Sequence, residues 1–463
     1  MRPRLLPLAA LPALPPPPSP AAAPDDGRSW LAGDHHVHSE WSVDWDRSTT
    51  PPTPIPGGDS PYTRTRNAQQ AQKYGLRWMV HTDHGGPGHS RVTLEHAWPA
   101  LEQARRDVPA VIQFNGMEFD VPGGEHASLI VPPNAKERDQ LVAIERDYSR
   151  REPLAEGARD DGRVMLDALA HMGALAPRPL VFINHPSRSA TGVGLWGDVT
   201  PGELRAWHDA APQVLVGMEG APGHQAAPAH RGLYRNDGAP TFGGFDQMTA
   251  RVGGVWDAML ASGRRFWVTA TSDSHENVRD GGRDFDPGQY SKTYVWARPE
   301  ADDIVDGLRH GRVFAVTGDL IDAMQFTVKP ADNAQRGVTM GETLGVRAGT
   351  ALRVELNVRA PQGPNAGGER PALDHVDLIV GTPGADGTPQ MQVKRLDAGE
   401  WKRDGQWVSM RWDLPPMPRG GFVRVRGSNT DEATPHADVA GENPWKDVWF
   451  YSNPVFVQPD ATD

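Results

Sequence analysis

Six short fragments, DHHVHS, HTDH, GMEF, GEHASLIV, NHP and SDSH, each place a histidine or a carboxylate where a Val/Ile-rich run stops. Side chains leaving neighbouring strand ends converge, and imidazoles mixed with carboxylates at one point make a polynuclear hydrolytic metal centre. His36 and His38 are two residues apart on one face of a strand end, so one strand offers two imidazoles to one ion. Asp44 follows in a loop able to fold back over the site. Asp83 and His84 end LRWMVHTD, where the Gly85-Gly86 turn lets the backbone pass close to an ion. Glu118 ends VIQFNGM, and its two oxygens can bridge two cations as an imidazole cannot. His126 opens HASLIV, His185 follows VFIN, and Asp273 and His275 follow FWVTATS. Each alone has a plainer explanation as a strand-end histidine or a helix-capping aspartate. Six ends carrying such groups together do not.

Hard carboxylates among imidazoles suit Zn²⁺, Mn²⁺ or Fe²⁺ and do not make an all-oxygen Ca²⁺ or Mg²⁺ cage. The candidates are too many for one tetrahedral ion and enough for two or three divalent ions. Ions about 3.5–4 Å apart can lower the pKa of a shared water to near 7 and hold the leaving oxygen of an in-line displacement. Hydrolysis then needs no side-chain nucleophile. The chain has no cysteine, which removes disulfides, thiolate ligands and cysteine nucleophiles.

From Trp30 to about Gly318, helical stretches alternate with short apolar strands. Helices are predicted to end near Tyr74 and to cover Leu94 to Asp107, Arg163 to Leu175 and Gln247 to Ser262. The strands after them cover Leu76 to Thr82, Val111 to Phe119, Leu180 to Asn184 and Phe266 to Thr271. This alternation predicts an α/β fold on a parallel sheet, open or closed into a barrel. Pro132 to Asp161 and Pro222 to Phe245 interrupt it and are expected as loops over one face. After Gly318, extended runs separated by Gly/Pro-rich turns predict a C-terminal antiparallel β-sandwich-like domain over 319–463.

At 463 residues, with 38% hydrophobic residues, 50 Gly and 44 Pro, the chain has room for two loop-rich domains. The net charge of −12 argues against a nucleic-acid partner, which needs clustered Lys and Arg. Residues 1–24 begin with Arg2 and Arg4, continue through Leu, Ala and Pro and reach Ala21-Ala22-Ala23, the pattern of a secretory signal peptide. No other run is long and apolar enough to span a membrane. A periplasmic or secreted protein is expected, with residues 25–318 forming the metal-binding domain. The sequence leaves its oligomeric state open.

In order, spacing and strand context, DHHVHS, TDH, GMEF, HASLIV, NHPSR and SDSH resemble the motifs of the PHP (polymerase and histidinol phosphatase) metal-dependent phosphoesterases. The resemblance implies a distorted (β/α)7 barrel with its site at the C-terminal strand ends. The ligands it implies are His36, His38, Asp44, His84, Glu118, His126, His185, Asp273 and His275, with Glu118 as the bridge. WDAMLASGRRFWVTATSDSH, KTYVWA, DGLRHGRVFAVTGDLI and YSNPVFV look like the CehA/McbA branch, which joins such a barrel to a C-terminal β-domain and includes carbamate-ester hydrolases. His35 and His81 depart from the family pattern, and His35 is expected to support a ligand or to be structural.

Around the ligands, Asp83 is expected to orient a ligand, and Glu219, ending QVLVGM, to orient a ligand or touch substrate. Arg188 is the candidate to hold an anionic group bidentately. His224 and His230 are candidate leaving-group acids, and Trp41, Trp45 and Trp196 candidate walls of the pocket. The leading expectation is a phosphoesterase that cleaves small, anionic phosphate esters with a metal-bridging hydroxide. A carboxyl- or carbamate-ester hydrolase on the same metals is the second. An inactive exported metal- or carbohydrate-binding protein is the third, and the full ligand set argues against it.

Overall fold

The structure, a computed structural model, describes residues 26–460 apart from 156, 227–230, 232–237, 333–334 and 385–387. The signal peptide expected over residues 1–24 lies outside the described residues. Among those described, no helix is long and apolar enough to cross a membrane.

In chain order the first strands are β1 (Ser29–Asp34), the small hairpin β2 (Asp44–Asp46) and β3 (Thr53–Ile55), β4 (Trp78–His81), β5 (Ile112–Asp120), β6 (His126–Val131), β7 (Leu180–Ile183), β8 (Leu215–Ala221), β9 (Trp267–Ala270), β10 (Ser291–Ala297) and β11 (Val313–Thr317). Those nearest the site are short and buried on both faces, so they read as continuous apolar runs. They pair in the order β11-β10-β1-β4-β5-β6-β7-β8-β9. β1, β4 and β5 are parallel, as are β7, β8 and β9, but β6 runs antiparallel to both neighbours and β10 antiparallel to β1. The sheet is therefore mixed, not the parallel one the alternation predicts. Its reversal at β6 comes from the tight turn Val121–Glu125, closed by Val121 N donating to Glu125 O, which is too short for a crossover helix. One edge gathers the C-terminal ends of β1, β4, β5, β7, β8 and β9 and the start of β6.

The helices are α1 (Arg64–Lys73), α2 (His89–Val92), which passes through a π turn into α3 (Trp98–Asp107), α4 (Glu137–Tyr148), α5 (Gly162–Ala174), α6 (Pro201–Ala210), α7 (Gln247–Ala250), α8 (Val255–Ala261) and α9 (Ala301–Arg309). α5 starts where Asp161 caps Arg163 N, and it buries Met165, Ala168, Leu169 and Met172 on one stripe. Thr200 and Glu203 close a capping box on α6. Two expectations change here. The segment Pro132 to Asp161 contains α4, whose narrow buried stripe of Leu141 and Ile144 hides among charged residues. The helix expected over Gln247 to Ser262 is broken between α7 and α8, where Gly253 adopts φ 77.

Beyond Gly318 every named element is a strand. Ala323–Pro330, Leu352–Arg359, Trp407–Leu414 and Lys402–Asp404 form a four-stranded antiparallel sheet. Its inner residues, among them Phe326, Leu356 and Met410, share a core with Leu378 and Val425 of the facing layer. That layer continues the first sheet, because Trp449–Ser452 pairs with β11 and with Gly421–Ser428. Asn453 donates to the Val268 and Val313 carbonyls at 3.0 Å, and buried Arg424 pairs with Asp257 of α8. A cleft of about 890 Å³ lined by Trp30, Trp296 and Trp407 contains none of the candidate ligands.

Candidate metal centre

The sheet edge described above carries a buried cluster of imidazoles and carboxylates. His36 and His38 lie just past β1, His84 past β4, Glu118 within β5, His126 at the start of β6, His185 past β7, and Asp273 and His275 past β9. His36 Nε2 is 3.0 Å from His38 Nε2, and Asp273 Oδ1 is 3.0 and 3.1 Å from the two. Glu118 Oε1 is 2.9 Å from His185 Nε2, 3.0 Å from His126 Nδ1 and 3.1 Å from His36 Nε2. Its other oxygen faces His84 Nδ1 at 2.7 Å. Asp59 Oδ2 lies 3.3 Å from His275 Nε2 and 3.8 Å from His84 Nε2, and the His38 and His275 rings stack at 3.7 Å. Ligand atoms within reach of a single ion occur, among others, in His36–His38–Asp273, His36–Glu118–His185, His84–Glu118–His126, Glu125–His126–His185 and His38–Asp59–His84–His275. These groups share members, so any ions they held would adjoin in one cluster.

The hydrogen-bonding state of the cluster tests whether divalent cations fit it. His36 Nδ1 is 2.7 Å from a Glu219 oxygen, so Nδ1 holds its proton there and the neutral form of the ring would turn its Nε2 lone pair toward His38 and Asp273. His38 Nδ1 has its own partner in Ser42 Oγ at 2.9 Å. Glu118 Oε2, His84 Nδ1 and Asp59 Oδ2 are buried without any hydrogen-bond partner. Buried lone pairs facing one another without donors are costly, and a cation between them removes the cost. The residues fit the ions.

The charges agree. Burial, together with His275 and His84, pushes the His38 pKa down to about 4, and burial with Arg188 pushes His185 down to about 3, so both rings are in the neutral, ligating form. Burial works against the Glu118 carboxylate, yet His126, His84 and His36 hold it well below its ordinary pKa. Burial opposes the charge on His36 as well, but Asp273, Glu219 and Glu118 outweigh it and raise that ring well above the usual value, so an ion bound at its Nε2 would have to displace a proton. Backbone strain is concentrated here. Of four non-glycine residues with left-handed φ among the described residues, His185, His224 and Asp273 belong to the cluster or touch it. A Cβ on Gly223 would lie 2.4 Å from Asp273 Cβ, so only glycine lets the chain carry His224 across that ligand.

The remaining candidates divide. Glu219 is buried under the cluster and accepts from His36 Nδ1, His185 N at 2.6 Å and Thr271 Oγ1 at 2.7 Å. Asp83 does not reach an imidazole: it accepts from Ser39 N at 2.6 Å and Arg64 Nη2 at 2.6 Å, fixing the turn after His38. Asp44 is exposed in the β2–β3 hairpin and belongs to none of these groups, and Asp59, on the return of the same loop, stands among the ligands instead. Arg188 Nη2 pairs with Glu125 at 2.6 Å and lies 3.3 Å from His126 Nδ1. His35 is buried against Phe182 and bonds Thr269, and His81 bonds Gln113, which makes both structural. His224 reaches Asp273 Oδ2 at 2.6 Å and Asp284 Oδ1 at 2.7 Å, while His230 lies outside the described residues. Trp41 stacks on His96, and Trp45 packs on Gly86, where a Cβ would lie 2.4 Å from the indole nitrogen. The Gly85-Gly86 turn thus makes room for Asp120 and Trp45 rather than for an ion. Trp196 is half-buried against the core.

Sequence reasoning missed Asp59, Asp120, Asn184 and Asp284. Asp120 is 3.4 Å from His126 Nε2, and Asn184 donates to Glu118 Oε1 at 3.1 Å while accepting from Ser128. Asp120 carried a signal, because it stands two residues after Glu118 on the same face of β5. Asp59 and Asp284 lie in loops where no periodicity points. No protein-family model matches the chain, and no curated protein matches it.

Proposed function

We propose that this protein is a metal-dependent ester hydrolase, a phosphoesterase of the PHP type acting on small, anionic esters after export. In this reading β1 and β4–β9 make up the distorted (β/α)7 barrel of that family, and residues 319–463 its β-rich partner. The observation that carries the reading is the shared convergence of His36 Nε2, His38 Nε2, Asp273 Oδ1 and both Glu118 oxygens in a buried pocket. Two or three Zn²⁺, Mn²⁺ or Fe²⁺ ions would supply a water acidified to a pKa of about 7 and charge neutralisation at the leaving oxygen.

The chain's own groups place and hold the parts. Glu219 fixes the His36 ring and its tautomer, Asp120 supports His126, and Asn184 steadies Glu118. Arg188, beside His126, is placed to orient the anionic oxygens of an ester bound at the ions. A carboxyl- or carbamate-ester hydrolase is the second reading, favoured by the neutralisation of Arg188 by Glu125. A tetrahedral oxyanion needs fewer cationic partners than a phosphoryl group.

The test is the initial rate of Mn²⁺- or Zn²⁺-loaded protein on matched nitrophenyl phosphate monoester, phosphate diester, carboxyl ester and carbamate, with Asp273→Asn as control. Phosphate-ester turnover that disappears in the variant supports the first reading. Turnover of carbonyl esters alone selects the second. Full ion occupancy with no turnover returns the chain to the metal-binding proteins.

A further inference from the structure

The candidate metal site is rich in carboxylates. Asp59, Glu118 and Asp273 line the cluster, and Asp120, Glu219 and Asp284 stand behind its imidazoles. Three divalent ions would neutralise these six carboxylates, and two would leave the site negative. The cation beside them is Arg188, whose charge reaches Glu118, Asp273 and His126. It is not free: its Nη2 is 2.6 Å from Glu125 Oε2, with both side chains close to buried, at 13% and 12% exposure. Asp198 adds a further acid beside Glu125. Glu125 is also rigidly placed, since it closes the tight β5–β6 turn through its carbonyl and directly precedes His126.

We propose that Glu125 is a specificity-determining residue: by holding Arg188 in this ion pair it keeps the rim of the metal site near neutral, and the enzyme selects a singly charged phosphate diester over a doubly charged monoester. The inference rests on the metal-hydrolase reading and narrows its substrate class. Glu125→Gln keeps the shape and the turn while releasing the guanidinium.

The experiment uses the metal-loaded full chain and Glu125→Gln, with ion content measured by mass spectrometry. Inorganic phosphate and dimethyl phosphate are titrated calorimetrically at about pH 8, where phosphate is doubly charged. Nitrophenyl phosphate and bis(nitrophenyl) phosphate are assayed in parallel. The wild type is expected to prefer the diester. Glu125→Gln is expected to bind inorganic phosphate about tenfold or more tighter, as uncovering one charge a few ångströms away requires, with a smaller change for dimethyl phosphate and a matching rise in the monoester-to-diester ratio. Glu125→Ala must move the same way. Unchanged phosphate affinity at full ion content, or a wild type that prefers the monoester, overturns the proposal. So does loss of an ion from Glu125→Gln, which would make Glu125 a ligand. Absence of all turnover would defeat the hydrolase reading and with it the choice between esters, while the phosphate titration would still decide whether Glu125 masks Arg188 from a doubly charged anion.

Discussion

Glu219→Gln tests how the cluster is held. The carboxylate accepts three hydrogen bonds, from His36 Nδ1, His185 N and Thr271 Oγ1, at 2.6–2.7 Å. A glutamine keeps its carbonyl on the obligatory backbone donor of His185 and turns its amide nitrogen to His36. Donor then faces donor, so the ring moves its proton from Nδ1 to Nε2, the atom aimed at Asp273 and the ions. Any ion bound through His36 must displace that proton. Loss of such an orienting partner weakens metal affinity by about 10–100-fold, or ~1.4–2.8 kcal/mol. An ion held by His38, Asp59, His84 and His275 would not depend on the His36 ring. Competition against a chromophoric chelator, with Co²⁺ as the reporting ion, should show one class of site weakened and another unchanged. Parallel loss of every ion would mean that Glu219 acts through the fold, and no loss at all would remove His36 from the ligand set.

Asp59→Asn is expected to lose one ion per chain by mass spectrometry while Asp44→Asn keeps the wild-type content, and the reverse result would restore Asp44 to the site. His89 is buried, and although burial opposes its charge, Glu145 and the Trp41 carbonyl raise its pKa to about 9. Its contribution, on the order of 3 kcal/mol, is therefore complete below the unfolded value near 6.5 and lost as pH rises through 9. Urea unfolding of His89→Gln should lack that slope, and an unchanged slope would refute the assignment. Asn453→Ala leaves the backbone of Val268 and the Val313 carbonyl without their side-chain partner, a loss of about 3 kcal/mol. A urea midpoint equal to wild type would show that the two halves are not coupled there.

Most of the cluster was legible because strand ends announce themselves. A β-branched run that stops at a histidine or carboxylate fixes both the element and the direction of the side chain, and the two-residue spacing in His36/His38 and Asp273/His275 adds the shared face. The same logic applied one step further would have found Asp120. Asp59 and Asp83 show its limit. A residue on a long loop has no period, so the choice between Asp44 and Asp59 was made by the β2–β3 hairpin, which turns Asp44 outward. Asp83 is next to a ligand in sequence but meets Arg64, a partner set by the packing of α1 and invisible in the motif. Strand direction was the other blind spot, because a five-residue turn before His126 reverses the sheet without altering the apolar pattern on either side. α4 escaped for a related reason, since a helix that buries one narrow stripe shows little amphipathic signal.

The left-handed backbone at His185, His224 and Asp273 gives this chain a memory of its chemistry. Each such residue costs on the order of 1–3 kcal/mol that glycine would avoid and asparagine would reduce. A lineage released from metal binding would gain stability by drifting to those residues at just these three positions, before any visible damage to the core. Histidine or aspartate persisting there in a descendant would mark continued use of the site, and glycine would date its retirement.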